Sequence, residues 1–428
     1  NMRIKAKGVS KNSIVEVLLI YLLLTFDCSF LYENHNMPLI ILVFVITGLM
    51  IGVNHFVLSR RDIWIFGCCV FLFVDYIFIC NFGSSTEISR VLLYIAQIFI
   101  AYVAVTILQD SFVDKYVKVV YVLAWISLAM MFVSVVTPDL LKSIMVRTDL
   151  QNSSGQVNYG MFLYVMRTYV RSGMDQYRNV GIYTEPGRYQ LILNIAVFYM
   201  LNFPDRIQAD EKKKIRYLIV LVVTIISAQS TIGYGILAIN LLMSRLANKK
   251  KDRSSKKIDR LIGVMIVAVI VFVVWDYIVR GDSGVIANVI VNKLFDANVY
   301  DLNSKMSGTA RLRGIMMALE VIKQYPLGAG TTHLTEILNH YIAVYQYSDF
   351  AGAALLKNCA IMGTLQLGSV LVFLFVKMKQ KLKNTTTWIC VLLIFVLQSL
   401  SSSYVFYPSI FAMAILNLNN MSKLKEVN

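Results

Sequence analysis

Long apolar runs separated by short polar stretches make up most of the chain. A helix gains about 1.5 Å per residue, so about 20 mostly apolar residues are needed to cross a hydrocarbon layer about 30 Å thick. The pattern predicts such helices at 13–31, 37–57, 63–80, 90–108, 116–136, 189–203, 217–228, 232–246, 261–278, 353–376, 387–400 and 404–418. Two segments, 137–188 and 279–352, are too long and too polar to be plain connections, and long structured loops usually carry function. In the second, Leu312, Met316, Leu319 and Ile322 recur at helical spacing, with Ser307 and Thr309 as caps and Pro326, Gly328 and Gly330 as a stop. That predicts a short amphipathic helix. In the first, Tyr159, Phe162, Tyr164 and Tyr169 suggest a segment at the membrane–water boundary, where aromatic rings favour the headgroup level. The expected fold is therefore all-α: one polytopic membrane domain over residues 1–428 with about 12 transmembrane helices, whose two long external loops contain short amphipathic helices.

Basic residues set the orientation, because Lys and Arg in short loops stay on the cytoplasmic side. Lys5, Lys7 and Lys11 precede the first run, Arg60 and Arg61 follow the second, and Lys212 to Lys214 with Arg216 follow the sixth. Lys249 to Lys251, Arg253, Lys256 and Lys257 follow the eighth, and Lys377, Lys379, Lys381 and Lys383 follow the tenth. All of these fall on one side if both termini are cytoplasmic, which puts 137–188 and 279–352 on the outer face. No small-residue cleavage site follows the first run, so it is expected to be a retained helix.

Composition agrees. Of 428 residues, 57% are hydrophobic and only 15% charged, too few charges to coat a soluble surface of this size. The net charge of +16 would fit nucleic acid only if gathered on a soluble face, and its basic residues lie mostly between apolar runs, so no nucleic-acid partner is expected. The six cysteines sit in or at the edge of apolar runs, as small hydrophobes do, so neither a disulfide framework nor a metal site is expected.

The chain has no Walker loop, glycine-rich dinucleotide turn, HExxH or nucleophile elbow, and no DxD pair in the short loop after the first run. No cofactor is expected. What remains is arginine among aromatic residues and a few carboxylates. The first loop ends in Arg178-Asn-Val-Gly-Ile-Tyr-Thr-Glu185-Pro-Gly-Arg188-Tyr-Gln. Pro186 suits a first helical position, so Glu185 is at or next to an N-cap, where it is either simply the cap or a working carboxylate. The second loop holds Ser307-Gly-Thr-Ala-Arg311-Leu-Arg313-Gly at the start of its amphipathic helix. Arginine binds phosphate oxygens bidentately and keeps its charge, so two such clusters facing one cavity would cradle a diphosphate. Arg167, Arg171 and Arg280 read instead as anchors or salt-bridge partners. His333, just beyond the Pro-Leu-Gly-Ala-Gly stop, is either structural or a general base. Asp75 and Lys357 fall within apolar runs, where a charge needs a partner or water. They either pair with each other, or Lys357 reaches a phosphate.

These two blocks resemble the Wzy O-antigen and capsular polysaccharide polymerases, which are related to the O-antigen ligases. Arg178 to Gln190 resembles the family's R-x-x-G-x-x-x-E-P-G/S motif, and 307–330 resembles its S-G-x-x-R, amphipathic helix and P-L-G-x-G pattern. The resemblance implies a glycosyltransferase that joins undecaprenyl-diphosphate-linked oligosaccharide repeat units, as donor and acceptor, on the outer face of a bacterial plasma membrane. It implies metal-independent transfer with inversion, Arg178, Arg188, Arg311, Arg313 and Lys357 holding the diphosphate, and Arg311 with Glu185 or His333 in catalysis. Membrane lipids, a chain-length regulator and a flippase are the partners it suggests. The ligases typically carry a His-Asn pair before the span after the second loop, and 349–352 has none. An O-antigen-type ligase and a lipid-linked oligosaccharide flippase or other transporter are the competing expectations.

Overall fold

The computed structural model describes residues 13–35, 38–46, 63–75, 88–148, 158–171, 174–247, 263–264, 275, 278–279, 307–345, 354–382, 384–399 and 407–416. Most of the basic clusters, most of the predicted helix at 261–278, Arg280 and the stretch 349–352 lie outside the described residues, as do the side chains of Arg171 and Arg311.

The described chain is mostly helical. In chain order it forms α1 (Ser13–Phe26), α2 (Phe30–Asn34), α3 (Ile63–Val74), α4 (Ile88–Leu108), α5 (Phe112–Val136) and α6 (Pro138–Ile144). Strands β1 (Val146–Thr148), β2 (Asn158–Gly160), β3 (Val165–Arg171) and β4 (Met174–Tyr177) follow, then α7 (Pro186–Asn202), α8 (Glu211–Ser227) and α9 (Thr231–Ala247). The rest is α10 (Ser307–Gln324), α11 (Gly330–Tyr345), α12 (Ala354–Met362), α13 (Thr364–Lys381), α14 (Thr385–Ser399) and α15 (Pro408–Ile415). Local chemistry sets several starts. Ser29 caps α2 by accepting from the Tyr32 N–H at 3.3 Å, Asp210 caps α8 through Lys213 at 2.9 Å, and α6, α7 and α15 each begin on a proline.

Among the described residues, one helical run, Val91–Val136, is long and apolar enough to cross a membrane. It turns at Gln109, whose φ is 44°, and so divides into α4 and α5. Ile14–Phe26, Ile63–Val74, Thr231–Leu246 and Thr385–Ser399 are shorter apolar helices.

α7 is the central post. It packs against α5, α8 and α9, and its residues are buried almost all round, as expected of a helix without a polar face. α9 packs in turn on α14, and α4 on α1 and α15. The fully buried Asp27, just past α1, accepts from the Ser409 N–H at 3.1 Å and from the Ser409 hydroxyl at the start of α15. Tyr116 of α5 donates to that same hydroxyl at 3.1 Å. Across the protein Arg206 pairs with Asp110 at 2.9 Å, tying the turn between α4 and α5 to the end of α7.

Three expectations need correction. Among its described residues the first loop carries the seven-residue helix α6 and a four-stranded antiparallel sheet in the order β1-β2-β3-β4. Its longest strand, Val-Met-Arg-Thr-Tyr-Val-Arg, is rich in β-branched and aromatic residues, which fit a pleated surface better than a helix. The predicted helix at 353–376 is broken at Gly363 into α12 and α13. And the residues after Gly330, expected as loop, form α11.

The break at Gly363 has a cause. The turn Pro326 to Gly330 docks on it, with Ala329 N donating to Ala360 O at 2.8 Å, Thr364 N to Pro326 O at 3.2 Å and Gln366 Nε2 to Leu327 O at 3.3 Å. Gly363 takes φ 89°, and a Cβ there would lie 2.6 Å from the Leu327 carbonyl. The predicted amphipathic helix is present over the described residues Ser307–Gln324 and ends before Pro326, as the stop requires.

Candidate functional site

The motif from Arg178 to Gln190 forms the entrance to α7. Asn179 folds its first turn: the side-chain oxygen accepts from Gly181 N at 3.1 Å, while its amide donates to Ser127 of α5 at 3.1 Å and Ser227 of α8 at 3.0 Å. Gly181 adopts φ 56° directly over the Tyr189 ring, where a Cβ would sit 2.6 Å from the ring carbon Cζ. Only glycine fits both demands. The Gly181 carbonyl accepts from Val165 N at 2.7 Å, and that of Ile182 from Phe30 N at 2.9 Å, so the motif is held between β3 and α2.

Glu185 occupies the N-cap of α7 with extended backbone (φ −131°, ψ 135°), and its carbonyl takes the first helical bonds from Arg188 and Tyr189 at 3.1 and 3.3 Å. Its carboxylate makes no cap hydrogen bond. It is 39% exposed and stands 3.6 Å from Nε of Arg188. The bland reading of this residue, a side chain used up by capping, does not hold.

Arg188 is engaged on its other side. Its Nη1 donates to the Glu33 carboxylate, to Cys28 O at 3.2 Å and to the Thr184 hydroxyl at 3.3 Å, and that hydroxyl donates to Glu33 at 2.7 Å. Buried Arg167 donates to Thr184 O at 2.6 Å, which makes it an internal anchor. With two carboxylates against one guanidinium, the charge of Arg188 is balanced within the protein, and its geometry is that of a pin holding the α7 entrance to α2. Arg178, on the same segment, is half-buried.

Beneath the entrance runs a ladder of buried amides. Gln398 of α14 and Gln190 both donate to the carbonyl of Gly187, at 3.0 and 2.9 Å, and Gln190 also donates to Gln398 at 2.6 Å. Asn194 donates to Gln190 Oε1 at 2.9 Å and Asn240 of α9 to Asn194 O at 3.1 Å. In an apolar bundle an unmade amide bond has no water to replace it, so the ladder fixes the height of the Glu-Pro-Gly turn against α9 and α14. Gln398→Leu is expected to lower the stability of the purified protein by about 1 kcal/mol, read as a reduced thermal midpoint in detergent.

In the second loop α10 and α11 both rest on α12, and Val321, Ala329 and Leu334 join the main core. Arg311 lies in the first two turns of α10, and Arg313 beside it is buried, with only 3% exposure. His333, in the first turn of α11, faces Glu336 at 3.2 Å and stacks on Tyr325 with the rings 8° from parallel. Lys357 is exposed on α12, whereas Asp75 is buried at the end of α3.

The structure thus unites Glu185 and Arg188, and adds Glu33, Thr184 and Gln398, none of which the motif reading singled out. Glu33 had a faint signal, as a carboxylate in the short loop after the first run. No family model matches the chain, and comparison with curated proteins and with solved structures finds no match.

Proposed function

We propose that this chain is a multi-pass membrane glycosyltransferase that joins lipid-diphosphate-linked oligosaccharides, the activity its two motifs resemble. The observation that carries the reading is Glu185: a carboxylate at the N-cap of a buried helix, left out of capping, and oriented by an arginine whose own charge Glu33 balances. Helices α1, α3, α4, α5, α7, α8, α9 and α14 overlap predicted apolar runs, which supports the reading. Large outward-facing apolar side chains such as Phe132, Val135, Val372 and Leu365 suit a lipid surround, and the one-sided distribution of basic residues along the sequence supports an outer-face α7 entrance.

In the mechanism, a hydroxyl of the acceptor unit attacks the anomeric carbon of the donor glycan and passes its proton to Glu185. The bond from that carbon to the lipid diphosphate breaks, with inversion. The diphosphate leaves with the electron pair, and Arg178 and Arg311 stabilise its growing charge without a metal. Arg188 positions Glu185. We assign the base role to Glu185 because its partly exposed carboxylate is left out of capping at the entrance the motif forms.

Purified protein given a defined lipid-diphosphate oligosaccharide is expected to lengthen it into a ladder on a gel. Arg311→Ala and Glu185→Gln are each expected to remove the ladder while the protein still reaches the membrane. Normal ladders from both variants would overturn the assignment. A flippase is the second reading, favoured by the broken helix at Gly363, since transporters place discontinuous helices at their sites. Substrate movement across vesicles without lengthening would establish it, and transfer to a different acceptor would establish a ligase.

A further inference from the structure

Hairpin β2–β3 ends in a turn, 161–164, closed by Met161 N donating to Tyr164 O at 2.8 Å. Its side chains divide. Tyr164 turns inward and is buried; its hydroxyl meets Ser134 of α5 at 3.1 Å, and burial pushes the phenol up to about 12. Ser134 already donates to Met130 O, so Tyr164 is the donor. Met161, Phe162 and Leu163 point outward, and Phe162 is 70% exposed.

The depth of this turn is fixed by a second contact, in which the Tyr21 hydroxyl of α1 donates to the carbonyl of Phe162. Tyr21 lies five residues before Phe26, the last residue of α1, which at about 1.5 Å per residue is about 7 Å down the helix. The hairpin tip therefore reaches below the end of an apolar helix. The elements this hairpin contacts carry further exposed apolar side chains: Leu18 on α1, Phe132, Val135 and Val136 on α5, and Leu140 and Ile144 on α6.

We infer that Met161, Phe162 and Leu163 form a wedge immersed in the acyl chains of the outer leaflet. This rests on the membrane orientation proposed above and goes beyond the boundary position that its aromatic residues suggest, because it seats the turn among the acyl chains. Three consecutive outward apolar side chains beside the flank of α1 match acyl chains and no aqueous surface. The wedge also has a mechanical connection to the site. It opens strand β3, whose Val165 N–H bonds the Gly181 carbonyl four residues before Glu185, so the depth of the wedge sets the height of that carboxylate above the membrane.

The test places the photoreactive residue benzoylphenylalanine at position 162, and in a parallel protein at position 135 on α5, in nanodiscs of a single phosphatidylglycerol. Irradiation followed by mass spectrometry of the modified peptide identifies what each position touches. Lipid adducts through the acyl chain at both positions are the expected result. Acyl adducts at 135 with none at 162 would overturn the wedge and leave the membrane reading intact. Absence of acyl adducts at both would overturn the membrane reading together with it. A covalent dimer through 162 would also overturn the wedge, in favour of an interface with a second copy.

Discussion

Arg188→Ala is expected to lower stability by about 2–4 kcal/mol, the scale for breaking a partly buried ion pair by removing one partner. Glu33 would keep only the Thr184 hydroxyl, Cys28 O would lose its donor, and Glu185 would lose the charge that orients it. The loss is expected as a lower thermal midpoint together with loss of polymer. The second carboxylate separates the two effects. In Arg188→Ala/Glu33→Gln the unpaired charge is gone, so much of the stability is expected to return while activity stays low, and that positive coupling is measured by a double-mutant cycle. Arg188→Lys is expected to rescue little, because an ammonium does not reproduce a fork bonded to Glu33, Cys28 and Thr184 at once. Equal stability of wild type and Arg188→Ala would show that the pin carries no load.

Gly363→Ala is expected to cost at least about 1–3 kcal/mol from backbone strain alone, because φ 89° with ψ 147° is a conformation that essentially only glycine adopts. The added Cβ also meets the Leu327 carbonyl at 2.6 Å, so the Pro326–Gly330 turn must move off the helix break. Faster proteolysis within the second loop is the expected readout beside a lower thermal midpoint. Gly368→Ala on the same helix is the control: nothing lies within 4 Å of its Cβ, and replacing a mid-helix glycine there is expected to stabilise by about 0.5–1 kcal/mol.

Helix positions were legible in the sequence where apolar period and caps agreed. Pro186 marked the start of α7, and Pro326 the end of α10. The sheet was not legible, because its strands are short and the aromatic residues among them read equally well as boundary anchors. The break at Gly363 was hidden for a different reason. A single glycine in an apolar stretch announces nothing until the turn that docks on it, some 35 residues earlier, is in place. At the site the motif itself identified Glu185 and Arg188. Sequence spacing could not show that Arg188 faces Glu33, 155 positions away, or that Gln398 reaches Gly187 across 211. Contacts of that range belong to helix packing and leave no local pattern.

Asp27 and Ser409 are 382 residues apart, yet the buried carboxylate of one is satisfied by the backbone and hydroxyl of the other. At a synthesis rate of about 5–20 residues per second, Asp27 emerges from the ribosome tens of seconds before its partner exists. During that interval the carboxylate beside α1 lacks the backbone and hydroxyl donors it has in the folded protein. Translation stalled just upstream of Ser409 is therefore expected to leave a chain with both motifs complete and the Asp27 contact unmade, although α1 can already pack on α4 and α5.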